Sequence, residues 1–377
     1  MYNSSKILLV VIAILLSKEL LAQFNNSVFL SNSEINTIDS NKLFFELDNI
    51  NMFKNNEYFG QFIEGYTIIG YTANPKLTYY YGNKTKISAG AHLLKYSGEN
   101  DFTKILPIFS FQSKLTDSID LVIGQIYGST NHQLIESIFQ FERLIENQVE
   151  NGIQFLVNKK RFTSDIWLNW EQFILKNDPF QEIFTQGTSS KLTLFNNNRL
   201  ILAIPLQTII SHHGGQVNSH SEELLQTFFN GTIGLNISYS IKDNFIRNIA
   251  LKNYLVLYKD LSPTPVQLYK EGYAFFPNLI ISSKNIDLLT GYWRANDFMS
   301  PRGELLFQSI SDKNIATAES NRELITIKFD FHKTIVKNLQ FGARFEGYYD
   351  LINSNFDYVY GLHLVFTPKI KLTTIPN

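Results

Sequence analysis

The 377-residue chain contains no cysteine. That excludes a disulfide scaffold, Cys-ligated zinc, an iron–sulfur centre, a thiol nucleophile and a lipid anchor on an N-terminal Cys. It also lacks an excess of either charge, with 33 Lys+Arg against 34 Asp+Glu. A nucleic-acid-binding surface would need a basic excess, so no nucleic-acid partner is expected. Charges of both signs are sparse, at 18% of residues, against roughly 25% in an ordinary soluble domain. Beyond the N-terminus, no apolar run is long enough to cross a bilayer as a helix. What the chain has in abundance is aromatic rings, 31 Phe and 19 Tyr.

The N-terminus reads as an export signal. Lys6 gives a small positive region, and Ile7–Leu16 is an apolar core too short to span a bilayer. Leu20–Leu21–Ala22 precedes the expected cleavage, which makes residues 1–22 a signal peptide. The alternative, an uncleaved anchor, is disfavoured by Lys18 and Glu19, which follow the core at once.

The remainder alternates with a period of two, the mark of a strand with one apolar face. In 229–241, Phe229, Ile233, Leu235, Ile237 and Tyr239 alternate with Asn230, Thr232, Asn236 and Ser238. The same pattern runs through 68–82, 339–350 and 356–366, and strands are expected at 86–96, 105–115, 119–127, 149–158, 162–173, 183–195, 200–210, 246–258, 272–283, 286–297 and 323–333. These lengths suit tilted membrane-spanning strands. The stretch 133–147 is the main segment with helical character.

Connections alternate between tight polar turns, such as 82–86 and 283–285, and long loops, such as 128–148, 211–226 and 297–322. That asymmetry belongs to outer-membrane barrels, whose short turns face the periplasm and whose long loops are extracellular. Counting back from the C-terminus leaves an odd number, so an ascending strand is needed before residue 68, and 42–53 is the best source. The expected fold is all-β: a single antiparallel transmembrane barrel of about 16 strands. Fourteen and eighteen are the alternatives, since 305–311 offers a further short strand or a lid. Residues 23–41 then form a short periplasmic extension, 42–377 the barrel, and Thr367–Asn377 a periplasmic tail.

Tyrosines near strand ends suit the membrane interface: Tyr79–Tyr81, Tyr127, Tyr239, Tyr254, Tyr258, Tyr273, Tyr348, Tyr349 and Tyr358. A soluble β-sandwich could hide the same apolar faces, but it does not explain the turn asymmetry. The export signal, the alternating strands and the aromatic Phe366 ending the last strand together resemble porin-like outer-membrane β-barrel proteins of Gram-negative bacteria. The resemblance implies an outer-membrane location, contact with outer-membrane lipid, insertion by the barrel assembly machinery, and a homo-oligomer as an option.

With the apolar faces outward, the pore-lining candidates are Lys76, Lys114, Glu150, Asp165, Glu171, Lys191, Lys252, Arg294, Lys328, Asp330, Arg344, Glu346, Asp357 and His363, with His92 beside them. Acids and bases nearly balance. That implies weak selectivity, or an internal salt-bridge network that narrows the lumen. Trp167 and Trp293 share these strands and are candidates to pack inside.

The loop 211–222 holds His212, His213 and His220. These could serve a zinc or copper ion, with Glu222 as a further ligand, or pair as a base with Ser211 or Ser219 in a hydrolase. Barrel-type outer-membrane phospholipases use such a pair on their outer side, but their motif order is not matched here. The simpler reading is a polar loop turned by Gly214–Gly215. Arg302 is a further loop candidate for the pore mouth, and 128–133 opens the longest early loop. No catalytic or metal set is assigned and no cofactor is called for. The leading expectation is a non-enzymatic channel for passive diffusion of small hydrophilic solutes. A closed structural or interaction barrel is the alternative, and an outer-membrane hydrolase ranks third.

Overall fold

The computed structural model describes residues 26–31, 35–215, 223–242, 244–314 and 316–375. The proposed signal peptide lies outside them. The strands are β1 (Lys42–Glu57), β2 (Tyr66–Tyr81), β3 (Thr85–Tyr96), β4 (Lys104–Thr116), β5 (Ile119–Gln125), β6 (Asn151–Lys159), β7 (Phe162–Gln172), β8 (Glu182–Asn196), β9 (Leu200–Gly214), β10 (Gln226–Ser240), β11 (Asn248–Asp260), β12 (Glu271–Ser282), β13 (Ile286–Asn296), β14 (Asn321–Val336), β15 (Leu339–Asp350) and β16 (Asn355–Phe366). Each pairs antiparallel with the next. β1 closes on β16, from Asn49↔Phe366 to Glu57↔Tyr358. Closure leaves no edge, which hydrocarbon demands because it offers backbone groups no partner.

All sixteen expected strands are present, with β1 and β9 running further than expected, to Glu57 and Gly214. The residues after Phe366 do not form a simple tail. A short β17 (Lys369–Thr374) follows the break at Pro368 and extends the pairing along β1, with Glu46↔Lys369. The stretch 305–311 adds no strand to the wall. It makes a single helical turn, Leu305–Phe307, and a bridge from Ile310 to Ala318. The helical character of 133–147 is reduced to one turn, Arg143–Glu146.

Alternation decides inside from outside. On β11, Leu255 is 57% exposed while its neighbours Tyr254 and Val256 are 2% and 0%. Leu235, Phe275, Ile325 and Leu362 are likewise exposed on the outer wall. β1 is polar outside, where Asn51 donates to Asn49 (2.7 Å) and Asn49 to the Thr72 carbonyl (2.7 Å). These bonds satisfy amides that lipid cannot. The tyrosines divide. Tyr79, Tyr81, Tyr239, Tyr273, Tyr349 and Tyr358 share the outward faces. Tyr80, Tyr254, Tyr258 and Tyr348 are buried inside, and Tyr127 bonds inward to Gln112 (2.7 Å). Proximity to a strand end does not select a face, because successive residues there still point oppositely.

The core lies in the lumen. Leu134, Ile135, Ile138 and Phe139 from the β5–β6 connection meet Phe298, Met299, Leu306 and Phe307 from the β13–β14 connection, with Phe62 and Ile63 from β1–β2. They pack against Val122, Trp167, Tyr254, Phe276, Trp293 and Leu324 of the wall. Full burial of each such side chain is worth about 1.5–3 kcal/mol. Polar ties fix the two loops together: Glu304 N–H donates to Glu136 O (2.8 Å) and Gln140 N–H to Arg302 O (2.8 Å). Others fix them to the wall: Trp293 Nε1 donates to Phe307 O (3.1 Å), and Asn230 to Met299 O (2.7 Å). The N-terminal segment also enters the barrel, in part against expectation. Phe29 packs on Phe141 and His363, and Asn26 accepts from Arg344 Nη2 (2.8 Å).

Leu235→Lys places a charge on the lipid face and should cost about 2–4 kcal/mol if the position is near the midplane. Heat-modifiable gel migration is then lost. Normal insertion of this variant would reverse the assignment of faces. The filled lumen predicts a silent barrel in a planar bilayer, and stable current steps once 133–147 is replaced by a short Gly/Ser link. Open steps from the intact chain would contradict the packing.

Candidate functional site

Of the expected pore-lining residues, all but Arg294 belong to the interior, and most are engaged there. Lys76 pairs with Asp48 (2.7 Å) and Arg344 with Asp330 (3.1 Å). Lys328 pairs with Glu346 (2.5 Å) and with Glu136. Asp357 accepts the Phe59 and Gly60 N–H groups (2.6 and 3.1 Å) and so pins the β1–β2 loop. Lys252 is buried beside Asn278 on the wall, and His92 bonds Asn74 (2.7 Å). Lys114, Asp165 and Lys191 line a cavity of about 290 Å³ between the plug and the short-turn end. Arg294 is the correction. It faces outward, 69% exposed at its side chain, and meets Glu323 at 3.4 Å. It follows Trp293, which is fully buried inside, and adjacent strand residues cannot share a face.

The β5–β6 connection carries His132 into the wall. Its Nδ1 meets Asp165 (2.7 Å), its Nε2 meets Glu150 (3.1 Å), and its ring stacks on Trp167 with centroids 3.5 Å apart. Gly187 makes room for that indole: a Cβ there would lie 2.1 Å from it. Two carboxylates hold the imidazole in its charged form and raise it to about 9 against the cost of burial. An imidazole bonded to carboxylates through both nitrogens has no lone pair to offer, so it fastens the loop and is no general base.

At the long-loop mouth, Glu142 accepts from Lys54, Tyr66 and Asn56, the last at 3.1 Å. Although burial opposes it, Lys54 and these hydrogen bonds keep Glu142 below the usual carboxylate range. Nearby Glu304 is pushed the other way, to about 7, by burial and then by the Glu142 charge. Arg302 does not reach the mouth. It is drawn inside to Glu171 (3.1 Å) and Thr185 (3.1 Å).

The His pair proposed in 211–222 separates. His212 and His213 lie on β9 and face opposite sides, while His220, Ser219 and Glu222 lie outside the described residues. Ser211 is buried inside, so it cannot serve His212. His212 instead belongs to an outward row across four strands. Trp170 lies tilted against Phe184 (5.3 Å), Phe184 stacks on His212 (4.7 Å), and His212 Nδ1 lies 2.9 Å from Thr227 Oγ1. The four are direct register partners near the long-loop ends of β7 to β10. A base and a hydroxyl at this separation can share a proton.

Barrel closure, outward apolar faces and long loops at one end define a porin-like outer-membrane β-barrel. In fold the chain is similar to a loop-deletion form of OmpT, an outer membrane protein of Vibrio cholerae, with a TM-score of 0.52, 9% identity, and 86% of this chain and 98% of that one covered. It is also similar to the outer membrane protein OprD of Pseudomonas aeruginosa, with a TM-score of 0.50, 10% identity, and 92% and 97% covered. No curated protein matches. The chain belongs to the lipid A 3'-O-deacylase-type family, whose model matches residues 35–375. That membership overturns the expectation of a non-enzymatic barrel. Strand alternation carries no contiguous catalytic motif, because neighbours on one face come from different strands.

Lys54 and Tyr66 were missed for that reason, and Glu142 and Glu304 because they sit in loops whose seating the strand period does not report. Lys54 also lies beyond the expected end of its strand. A signal for Thr227 existed: it lies on the same outward parity as Phe229 and Ile233.

The His132 pairing has a signed pH dependence. Its folded value is raised, so its contribution is complete below the ordinary histidine value near 6.5 and fades as pH rises through about 9. The gap in thermal midpoint between the native chain and His132→Gln in detergent should therefore narrow from pH 7.5 to 10. An unchanged gap would remove the charge from the account.

Proposed function

We propose that the protein is an outer-membrane hydrolase that removes an ester-linked acyl chain from lipid A at the barrel's outer surface. The observation that carries this reading is the outward His212–Thr227 pair, in a chain of a deacylase-type family. An ester in the outer leaflet lies just beneath the headgroups, at the depth where aromatic rings gather. Trp170 and Phe184 form such a shelf beside the pair. His212 takes the Thr227 hydroxyl proton as Oγ1 attacks the acyl carbon. The proton passes to the departing sugar oxygen, and water then releases the fatty acid from the threonine ester. The packed lumen argues against a diffusion channel as the main role.

A second reading is favoured by the opposed carboxyls at the mouth. Glu304, near 7, would draw a proton from water beside the Lys54–Glu142 pair. It requires the acyl chain to enter the mouth.

The test reconstitutes the protein with lipopolysaccharide and follows fatty-acid release and lipid A mass. His212→Ala and Thr227→Val should each lower the rate at least about 100-fold, with Glu304→Gln within about threefold. The reverse pattern moves the chemistry to the mouth. No release by the native chain sinks the hydrolase reading.

A further inference from the structure

Three ligating side chains converge inside the barrel at the short-turn end, away from both sites above. Asp287 on β13 and Asp330 on β14 are direct register partners, and both point inward. They are 3% and 2% exposed. His332 follows Asp330 on the same face, with Nδ1 3.3 Å from Asp330 Oδ2 and 3.7 Å from Asp287 Oδ2. One ligand atom from each lies within 4.8 Å of the others. Carboxylates directly opposite one another on paired strands repel, and a cation between them would relieve that repulsion.

We propose that Asp287, Asp330 and His332 bind a divalent transition-metal ion of the zinc class.

The spacing suits it. Ligand bonds of about 2.0–2.2 Å put tetrahedral donor atoms roughly 3.3–3.6 Å apart. The imidazole is oriented as a ligand's should be. Its Nδ1 is the atom aimed at the two carboxylates. The β12–β13 turn is pinned to His332, whose N–H donates to Asn285 O (2.9 Å), and Asn285 Nδ2 donates to His332 O (2.7 Å). Nδ1 and the two carboxylate oxygens thus face one another, and an ion or a proton must stand between them. Arg344 takes the other oxygen of Asp330 (3.1 Å), as an outer partner of a ligating carboxylate does.

A fourth donor lies alongside. Gly342 on β15 pairs with His332 on one side and His363 on the other. The His363 ring leans over that glycine, where a Cβ would come within 2.1 Å of Nε2. This Nε2 is buried with no hydrogen-bond partner, and its ring lies within the fields of Arg344, Asp330 and His332. Lys252 on β11 bears on Asp287 from the same stretch of wall, with only β12 between them.

The full chain, folded in detergent and stripped with a chelator, is titrated with Zn²⁺ by calorimetry and with Co²⁺ by absorbance. The inference expects one ion per chain and Co²⁺ bands of tetrahedral or five-coordinate type. His332→Ala and Asp287→Asn, each shown to be folded by heat-modifiable migration, should weaken binding at least 100-fold. No binding at 100 μM metal would show that a proton alone fills the gap and would overturn the proposal. Unchanged stoichiometry and affinity in the two folded variants would overturn it equally. Should one variant fail to fold, the other and the Co²⁺ spectrum of the native chain still decide.

Discussion

A wall of sixteen strands encloses more space than its own inward side chains can fill. Everything inside this molecule answers that constraint. The wall closes for the backbone's sake, since lipid pairs nothing. Closure then creates a lumen that must be either wet or occupied. Here the β5–β6 and β13–β14 connections fold in and meet a wall whose inward face is apolar at that height. Trp167, Trp293, Phe276 and Tyr254 are there to be packed against. In an ordinary water-filled pore such side chains would face water.

Occupation changes the meaning of the inward charges. Balanced charge in an open lumen would report weak selectivity. In a filled one, each charge loses most of its water, and an unpaired charge becomes costly. The pairs Lys328–Glu346, Arg322–Asp350 (2.5 Å) and His132–Asp165 are the result. Breaking one would leave a buried ion unpartnered, so these pairs specify one seating of the loops more than they add net stability.

The wall was legible in the sequence because a period of two leaves a mark in every strand. Leu235 and Leu362 sit on the predicted outer faces for that reason. The same rule, applied residue by residue, already places Arg294 outside once Trp293 is taken inside. What could not be read was the seating of the loops. Segment 126–150 carries a helical period over 133–147 that the structure uses for one turn only, because the segment packs by irregular contacts in a lumen of fixed shape. His132 therefore looked like a polar loop residue, although two carboxylates 18 and 33 positions away were waiting for it. The split of His212 from His213 was readable in principle, but only with β9 continued through Gly214.

Filling the lumen also decides where chemistry on a lipid is easiest. A reaction inside would have to draw an acyl chain past Tyr66 and into a packed interior, displacing side chains that hold the loops. A reaction on the outer wall would need no such motion, because a lipid substrate would already lie against it. On that wall most side chains are apolar and inert. A histidine beside a hydroxyl, at the end of an aromatic row near the long-loop ends of the strands, is a departure from that pattern. Lipid would not stabilise it, and the interior packing does not require it. The proposed outer-surface site rests on that contrast: most charges inside pair with the loops that fill the barrel, whereas nothing in the packing accounts for the His212–Thr227 pair.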